Sequence, residues 1–314
     1  MEWLKSLYPA VRETIYNSIP DYWPGLAGVM EQLVQEPSFP EAALSIASCK
    51  AVGGDPEEAV AVSAALIALG FSVRIFDDLF DRDKEGLWES IEPERTWNYA
   101  STVQNISYAI ISKSTIRNDL KHRINQCIID AFFAIAAGQD RDIAGITHSE
   151  EEYWLTVELK SAYVYATACE TGAIVGTENQ ANINSCRAFG RHVGRSMQIL
   201  NDMESIWCSK GKSDLEQNKI TLPVLYGLSV NHPAKDELED IVNSGRIADK
   251  SVRIIEILNS IDTRKFLYWA ALKERELALE ALSYCPDPEG KEALESYITG
   301  MFGDIDTLLS DSDG

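Results

Sequence analysis

Ala59–Asp81 reads AVAVSAALIALGFSVRIFDDLFD, small and apolar almost throughout until Arg74 and then Asp77, Asp78 and Asp81. A run of this length and composition predicts a buried central helix, because an amphipathic helix would interrupt it with a polar face. At helical spacing, residues i, i+1 and i+4 put at least two of the three carboxylates on one face, so the cluster presents oxygens from one helix end. Ala188–Ser205 repeats the design: Gly190, Gly194, Met197 and Leu200 precede a second polar end, NDMES at Asn201–Ser205. Oxygen-only ligands suit Mg²⁺, which keeps several waters and bridges carboxylates to phosphates. Two such ends facing one another predict a metal-diphosphate clamp over an apolar cavity.

Apolar residues recur at three- and four-residue intervals elsewhere, over Glu57–Phe80, Trp97–Ser112, Ile116–Gly138, Ser149–Gly176, Gln180–Ser209, Thr221–Leu228, Ser251–Leu258, Arg264–Ala281 and Pro288–Leu309. Breaks are expected at Gly53-Gly54-Asp55-Pro56, Lys84–Gly86, Gly138 and Pro286–Gly290. Asp55-Pro56-Glu57-Glu58 reads as an N-cap, a first-turn proline and acids at the positive helix end. Alternating strand patterns and internal repeats are nearly absent. The expectation is an all-α bundle forming one domain over residues 1–314.

A net charge of -21 excludes a nucleic-acid backbone as partner and argues against anchoring on anionic lipid. The six cysteines are scattered without a CxxC pair, which suits free thiols in a reducing cytoplasm. No signal peptide is evident, and no window reads as a membrane span, so a soluble cytoplasmic protein is expected. His122, His148, His192 and His232 are isolated and lack metal-ligand spacing. The acidic end 304–314 reads as a frayed terminus.

Behind the second cluster runs KGKSDLEQNKITLPVLY at 210–226, whose lysines supply point charges for a leaving diphosphate. With DDLFD, AGQDRDI containing Gln139 and Asp142, Lys160 in ELKSAYVYATACETGAIVG and Met197-Gln198 before NDMES, this ordered set resembles the trans-isoprenyl diphosphate synthase superfamily over about residues 45 to 300. The resemblance implies an isoprenoid-synthase helical bundle with a central cavity, a prenyl diphosphate substrate, three Mg²⁺ ions with the diphosphate bound, and a homodimer. It implies Asp77, Asp78, Asp81, Asn201, Asp202 and Ser205 as metal ligands, the first five of them catalytic. Lys160, Gln198, Lys212 and Lys219 are implied as substrate-binding residues.

The departures shape the functional expectation. Chain-elongating members carry GGKRxRP early in the chain, where this sequence has SFPEAALSIASCKAVGGDPEE, and an Arg-Arg pair after DDxxD, where it has Gly86 and Leu87. Losing several guanidinium contacts removes the handles for a second diphosphate, although Lys50, Arg74 or Arg95 are possible substitutes. Asn201 and Ser205 in the second motif are similar to the metal motif of class I terpene cyclases, while Ser209 stands where cyclases place a further acid. The favoured reading is therefore ionisation of one C15–C25 allylic diphosphate with intramolecular capture of the cation, as in class IB terpene synthases. Transfer to a peptide tryptophan or another aromatic acceptor, as in ComQ-type prenyltransferases, is the alternative, followed by ordinary chain elongation. A noncatalytic partner subunit is disfavoured by the intact aspartates. Ser72 and Val73 occupy the positions where the family tunes pocket depth, with Phe71 deeper; Phe76, Phe80, Tyr163, Tyr165 and Trp207 are further candidates to line the pocket.

Overall fold

The computed structural model describes residues 1–35, 40–81, 91–145, 147–208 and 213–303, with side chains at 32, 33, 35, 40–42 and 81 left undescribed. The helices are α1 Glu2–Lys5, α2 Tyr8–Tyr16, α3 Pro24–Gln35, α4 Pro40–Ala51, α5 Val60–Asp81, α6 Pro93–Lys113, α7 Asn118–Ile143, α8 Glu150–Val157 and α9 Tyr163–Gly176. They continue with α10 Gln180–Trp207, α11 Leu222–Ser229, α12 Lys235–Asn243, α13 Ser251–Ser260, α14 Thr263–Ala281 and α15 Pro288–Gly300. Among the described residues there is no strand, and the protein is all-α as expected.

α5 sits centrally, as its composition demands. Val62, Ala64, Ala65, Ile67, Ala68, Leu69, Phe71 and Ile75 are all buried, and each large side chain among them contributes about 1.5–3 kcal/mol by leaving water. α5 packs along α6, α10 lies between α9 and α14, and α4 is enclosed by α9, α15 and α5. That enclosure explains why periodicity did not reveal α4: Leu44, Ser45, Ile46, Ala47, Ser48 and Cys49 are all buried, so no polar stripe marks it. Asp55 caps the entry to α5 by accepting from the Glu57 amide at 3.1 Å, and Asp287 caps α15 by accepting from Gly290 at 2.8 Å.

Two expectations are corrected. By length and composition, Pro56–Phe80 suffices to cross a membrane, with a mean hydropathy of 2.1 in its most apolar window. Two-thirds of that window is buried in the fold (67%), because the bundle around it takes the place of lipid. Gly138, read as a break, lies inside α7, which runs on to Ile143. The glycine serves close approach instead: a Cβ there would meet the Lys160 backbone nitrogen at 2.7 Å.

The predicted helix Ser149–Gly176 is present but irregular. Between α8 and α9, Glu158–Ala162 winds as a π-turn, one residue more per turn than an α-helix. Gly138 on α7 presses one side of it, and Gly194 on α10 the other, where a Cβ would come within 2.6 Å of the Ala162 Cα. A smaller apolar cluster, including Ile206, Leu215, Val224, Leu238 and Ile254, gathers α11 to α13 beneath the end of α10. Trp207 and Ile220 pack against both this cluster and the main core.

Candidate active site

The π-turn determines what Lys160 can reach. Its ammonium lies 3.2 Å from Asp77 at the end of α5 and 3.0 Å from Asp142 at the end of α7. Lys219, carried on the segment before α11, reaches the same Asp142 oxygen at 3.3 Å. Two lysines from distant parts of the chain thus meet around one carboxylate. Burial pushes the Asp142 carboxyl up, but the two ammoniums outweigh burial and hold it below the usual carboxylate range. Burial pulls the Lys160 ammonium down, and Asp77 and Asp142 more than restore it, so that it remains a cation.

Asp77, Asp142, Lys160, Lys219, Asn201, Asp214 and Gln198 line one cleft of about 680 Å³. At Asp77 the cleft adjoins an apolar channel of about 270 Å³ between α5, α7 and α9, lined by Leu66, Ile67, Phe71, Val73, Ile135 and Tyr165 among others. A third space of about 410 Å³ opens on the α6 side, also bordered by Asp77 and Lys160, with Phe76, Phe80 and Trp97 as its aromatic wall. Phe76 and Phe80 each place a ring centroid 5.4 Å from Trp97, within the range of favourable aromatic pairs. A charged chamber therefore opens on to two apolar ones at a single aspartate.

The second cluster differs from its expectation. Asp202 is buried, at 1% exposure, and does not line the cleft. One of its oxygens accepts from Tyr153 Oη at 2.8 Å and from the Leu222 amide at 3.3 Å; the other accepts from Gln198 Nε2 at 2.8 Å. Burial and then the neighbouring Asp214 push its carboxyl up to about 7, against the pull of these donors. Asp202 thereby ties α10 to α8 and α11. Ser205 is also engaged, accepting from the Asp214 amide at 2.9 Å. Gln198, expected to bind substrate, uses both ends of its amide internally, since its oxygen accepts from Ser161 Oγ at 2.6 Å.

Asn201 is exposed and lines the cleft, as its predicted role requires. The Asp81 side chain and Lys212 lie outside the described residues, and Asp78 is half-buried beside Asp77. No group of three or more metal-binding side chains is close enough to hold an ion among the described residues. The oxygen donors facing the cleft, Asp77, Asp142, Asn201 and Asp214, are nevertheless of the type that Mg²⁺ takes. Thr221 adds a buried hydroxyl without a hydrogen-bond partner at the same wall, which suits an anionic ligand.

Asp214, Thr221 and Tyr153 were not singled out from the sequence, and Asp142 entered only through the motif around Gln139. A signal existed for Asp214 and Thr221, which stand in the lysine-bearing segment; nothing local distinguishes Tyr153. Among the candidate aromatics, Phe71 and Tyr165 line the channel. Trp207 turns away to Asn259 and Arg264, and Tyr163 lies under Arg187. Ser72 is aimed away from the channel, its hydroxyl donating to the Ala100 carbonyl at 2.8 Å, so Val73 alone of that pair lines it.

The possible substitutes for the missing basic site are engaged elsewhere. Lys50 pairs with Glu289 at 3.0 Å and lies 5.3 Å over Trp3. Arg95 pairs with Glu92 at 3.4 Å and donates to Tyr99 at 2.8 Å. Neither lines the cleft, whereas Arg74 borders the apolar channel.

Residues 41–258 match the polyprenyl synthetase family. The short chain isoprenyl diphosphate synthase of Methanothermobacter thermautotrophicus is 28% identical over 274 residues, covering 80% of this chain and 81% of that protein. Among solved structures, geranylgeranyl pyrophosphate synthetase from Pyrococcus horikoshii superimposes with a TM-score of 0.79 at 22% identity, over 95% of this chain and 98% of that one. A decaprenyl diphosphate synthase from Rhodobacter capsulatus gives 0.81 at 18% identity, over 95% of each chain. The bundle, the paired polar helix ends and the match along two-thirds of the sequence agree: this chain belongs to the polyprenyl synthetase family.

Proposed function

We propose that the protein ionises one trans-allylic prenyl diphosphate and that the resulting cation is captured within its own chain, the reaction class of a terpene synthase. The observation that carries this reading is the meeting at Asp77 of one lysine-bearing cleft with an apolar channel. The diphosphate belongs in the cleft and the prenyl chain in the channel. Lys160 and Lys219 hold charge against the departing group, and Asp142 keeps both ammoniums in place before substrate arrives. Thr221 supplies a hydroxyl to the same group.

Asp77, Asp78 and Asp81, with Asn201 and Asp214, would hold Mg²⁺, which would supply Lewis-acid charge to the leaving diphosphate. The walls of the channel exclude water from the organic half. Diversion of Lys50 and Arg95 into ion pairs away from the cleft supports the absence of a second diphosphate site.

The aromatic groove at Phe76, Phe80 and Trp97 favours a second reading, in which the cation passes to a flat aromatic acceptor seated beside Asp77. The relatives are named for diphosphate synthesis, and chain elongation is the third outcome of the same test. Purified protein with Mg²⁺ is incubated with geranyl, farnesyl, geranylgeranyl and geranylfarnesyl diphosphates, each with and without isopentenyl diphosphate. A hydrocarbon or alcohol from one diphosphate alone is expected. A longer diphosphate made only with isopentenyl diphosphate refutes the proposal in favour of elongation, and turnover only upon adding an indole or a tryptophan peptide refutes it in favour of acceptor transfer. Asp77→Ala abolishes diphosphate release if the metal assignment is right.

A further inference from the structure

Lys160 reaches its partners from a helical turn widened by a residue, and the first residue of that π-turn is held by a charged network unconnected to the cleft. Arg191 on α10 grips Glu158 with two nitrogens, at 2.8 Å and 2.7 Å. Arg195, one turn further along α10, lies 3.5 Å from the same carboxylate and 3.4 Å from the second oxygen-bearing partner, Glu274 of α14. The Arg195 guanidinium is stacked 4.3 Å over Trp154 of α8, and Glu274 is fixed in turn by His192 at 2.7 Å. Two α10 arginines one turn apart thus fasten the start of the π-turn, while Gln198 on the same helix fastens its end through Ser161.

We infer that Glu158, gripped by Arg191 and Arg195, is a positioning residue that sets Lys160 against the diphosphate; this rests on the diphosphate reading above. A planar guanidinium held bidentately fixes direction as well as distance. Glu158 lies on the outer side of the turn, paired to α10, while Lys160, two residues on, points to the opposite partners, Asp77 and Asp142. Freeing Glu158 lets the turn relax toward α-helical winding, which rotates Lys160 away from them. Arg191, Arg195 and Glu158 line none of the three chambers, so the effect passes through Lys160 rather than through contact with substrate.

The test is a double-mutant cycle read by calorimetric binding of inorganic diphosphate in the presence of Mg²⁺. Glu158→Gln, Lys160→Ala and the double variant are compared with the wild-type chain, and Arg191→Gln repeats the cycle with Glu158 intact. Glu158→Gln is expected to weaken binding about tenfold in the wild-type background and by less than about twofold where Lys160 is already alanine. Glu158→Asp, which keeps the charge, is expected to recover most of the loss. Equal losses in both backgrounds, or no loss in the first, overturn the inference. If Lys160→Ala alone binds as tightly as wild type, the role of Lys160 in holding diphosphate is wrong, and the inference falls with it. A lowered melting temperature with unchanged diphosphate binding likewise shows a purely structural tie.

Discussion

Gly138→Ala tests the packing that places Lys160. The added Cβ would stand 2.7 Å from the Lys160 nitrogen and 3.0 Å from its Cα and Cβ, whereas ordinary contact begins at 3.4 Å, so the π-turn must retreat by about 0.7 Å. Overpacking of this kind costs about 1–3 kcal/mol, and replacing a mid-helix glycine by alanine returns about 1 kcal/mol. The net loss is about 1 kcal/mol, which lowers the melting temperature of a chain of this size by about 1.5 °C. The functional loss is larger, because the same retreat stretches ion pairs that stand at 3.2 Å and 3.0 Å. We expect about a tenfold fall in kcat/KM for diphosphate release, given that misplacement by an ångström costs up to about a hundredfold. Gly28→Ala is the control: it lies within α3 with nothing within 4 Å of its Cβ position. That variant should gain about 0.5–1 kcal/mol with unchanged turnover. Scanning calorimetry and a coupled diphosphate assay read both quantities. If Gly138→Ala melts and turns over like wild type, or loses stability without losing activity, the contact with the π-turn does not position Lys160.

Stability should also depend on pH through Asp202. Its folded-state pKa of about 7 lies above the ordinary carboxylate value, so the folded chain binds the extra proton and stability falls as pH rises from about 4 to 7, then levels. The ceiling is about 4 kcal/mol, three pH units at 1.36 kcal/mol each; urea unfolding of wild type and Asp202→Asn between pH 4.5 and 8 should show a steeper fall with rising pH in wild type than in the variant. Lys219→Ala is expected to lower kcat/KM about tenfold or more while leaving Lys160 paired to Asp142, checked by diphosphate release and by Mg²⁺-dependent diphosphate binding. Phe133, 67% exposed, and Trp97, 44% exposed, on α7 and α6 are where we expect a second copy to pack; Phe133→Glu should shift the protein to monomer by sedimentation, and an unchanged mass places the interface elsewhere.

The buried helix and its acidic end were legible because both are local patterns: a run without a polar face, then carboxylates at i, i+1 and i+4. That Asp77 pairs with Lys160 is not a local pattern and comes only from the fold. For Asp202, NDMES shows which oxygens are present and not which way they point; Tyr153, 49 residues upstream, donates to one of them. Asp142 is 18 residues from Lys160 and 77 from Lys219, a distance at which periodicity carries no information. Gly138 was taken for a stop because a glycine that ends a helix and one that lets a neighbour approach look alike in sequence.

A π-turn has a consequence for how this chain tolerates change. Glu158–Ala162 holds one residue beyond α-helical need, and deleting any one of the five would restore regular winding with α8 and α9 facing nearly as before, while the side chains of the turn itself, Lys160 among them, would be re-aimed. Exchanges of side chain around the turn alter the site by degrees, whereas a lost or gained residue alters it all at once. Length, more than identity, sets the geometry of this segment.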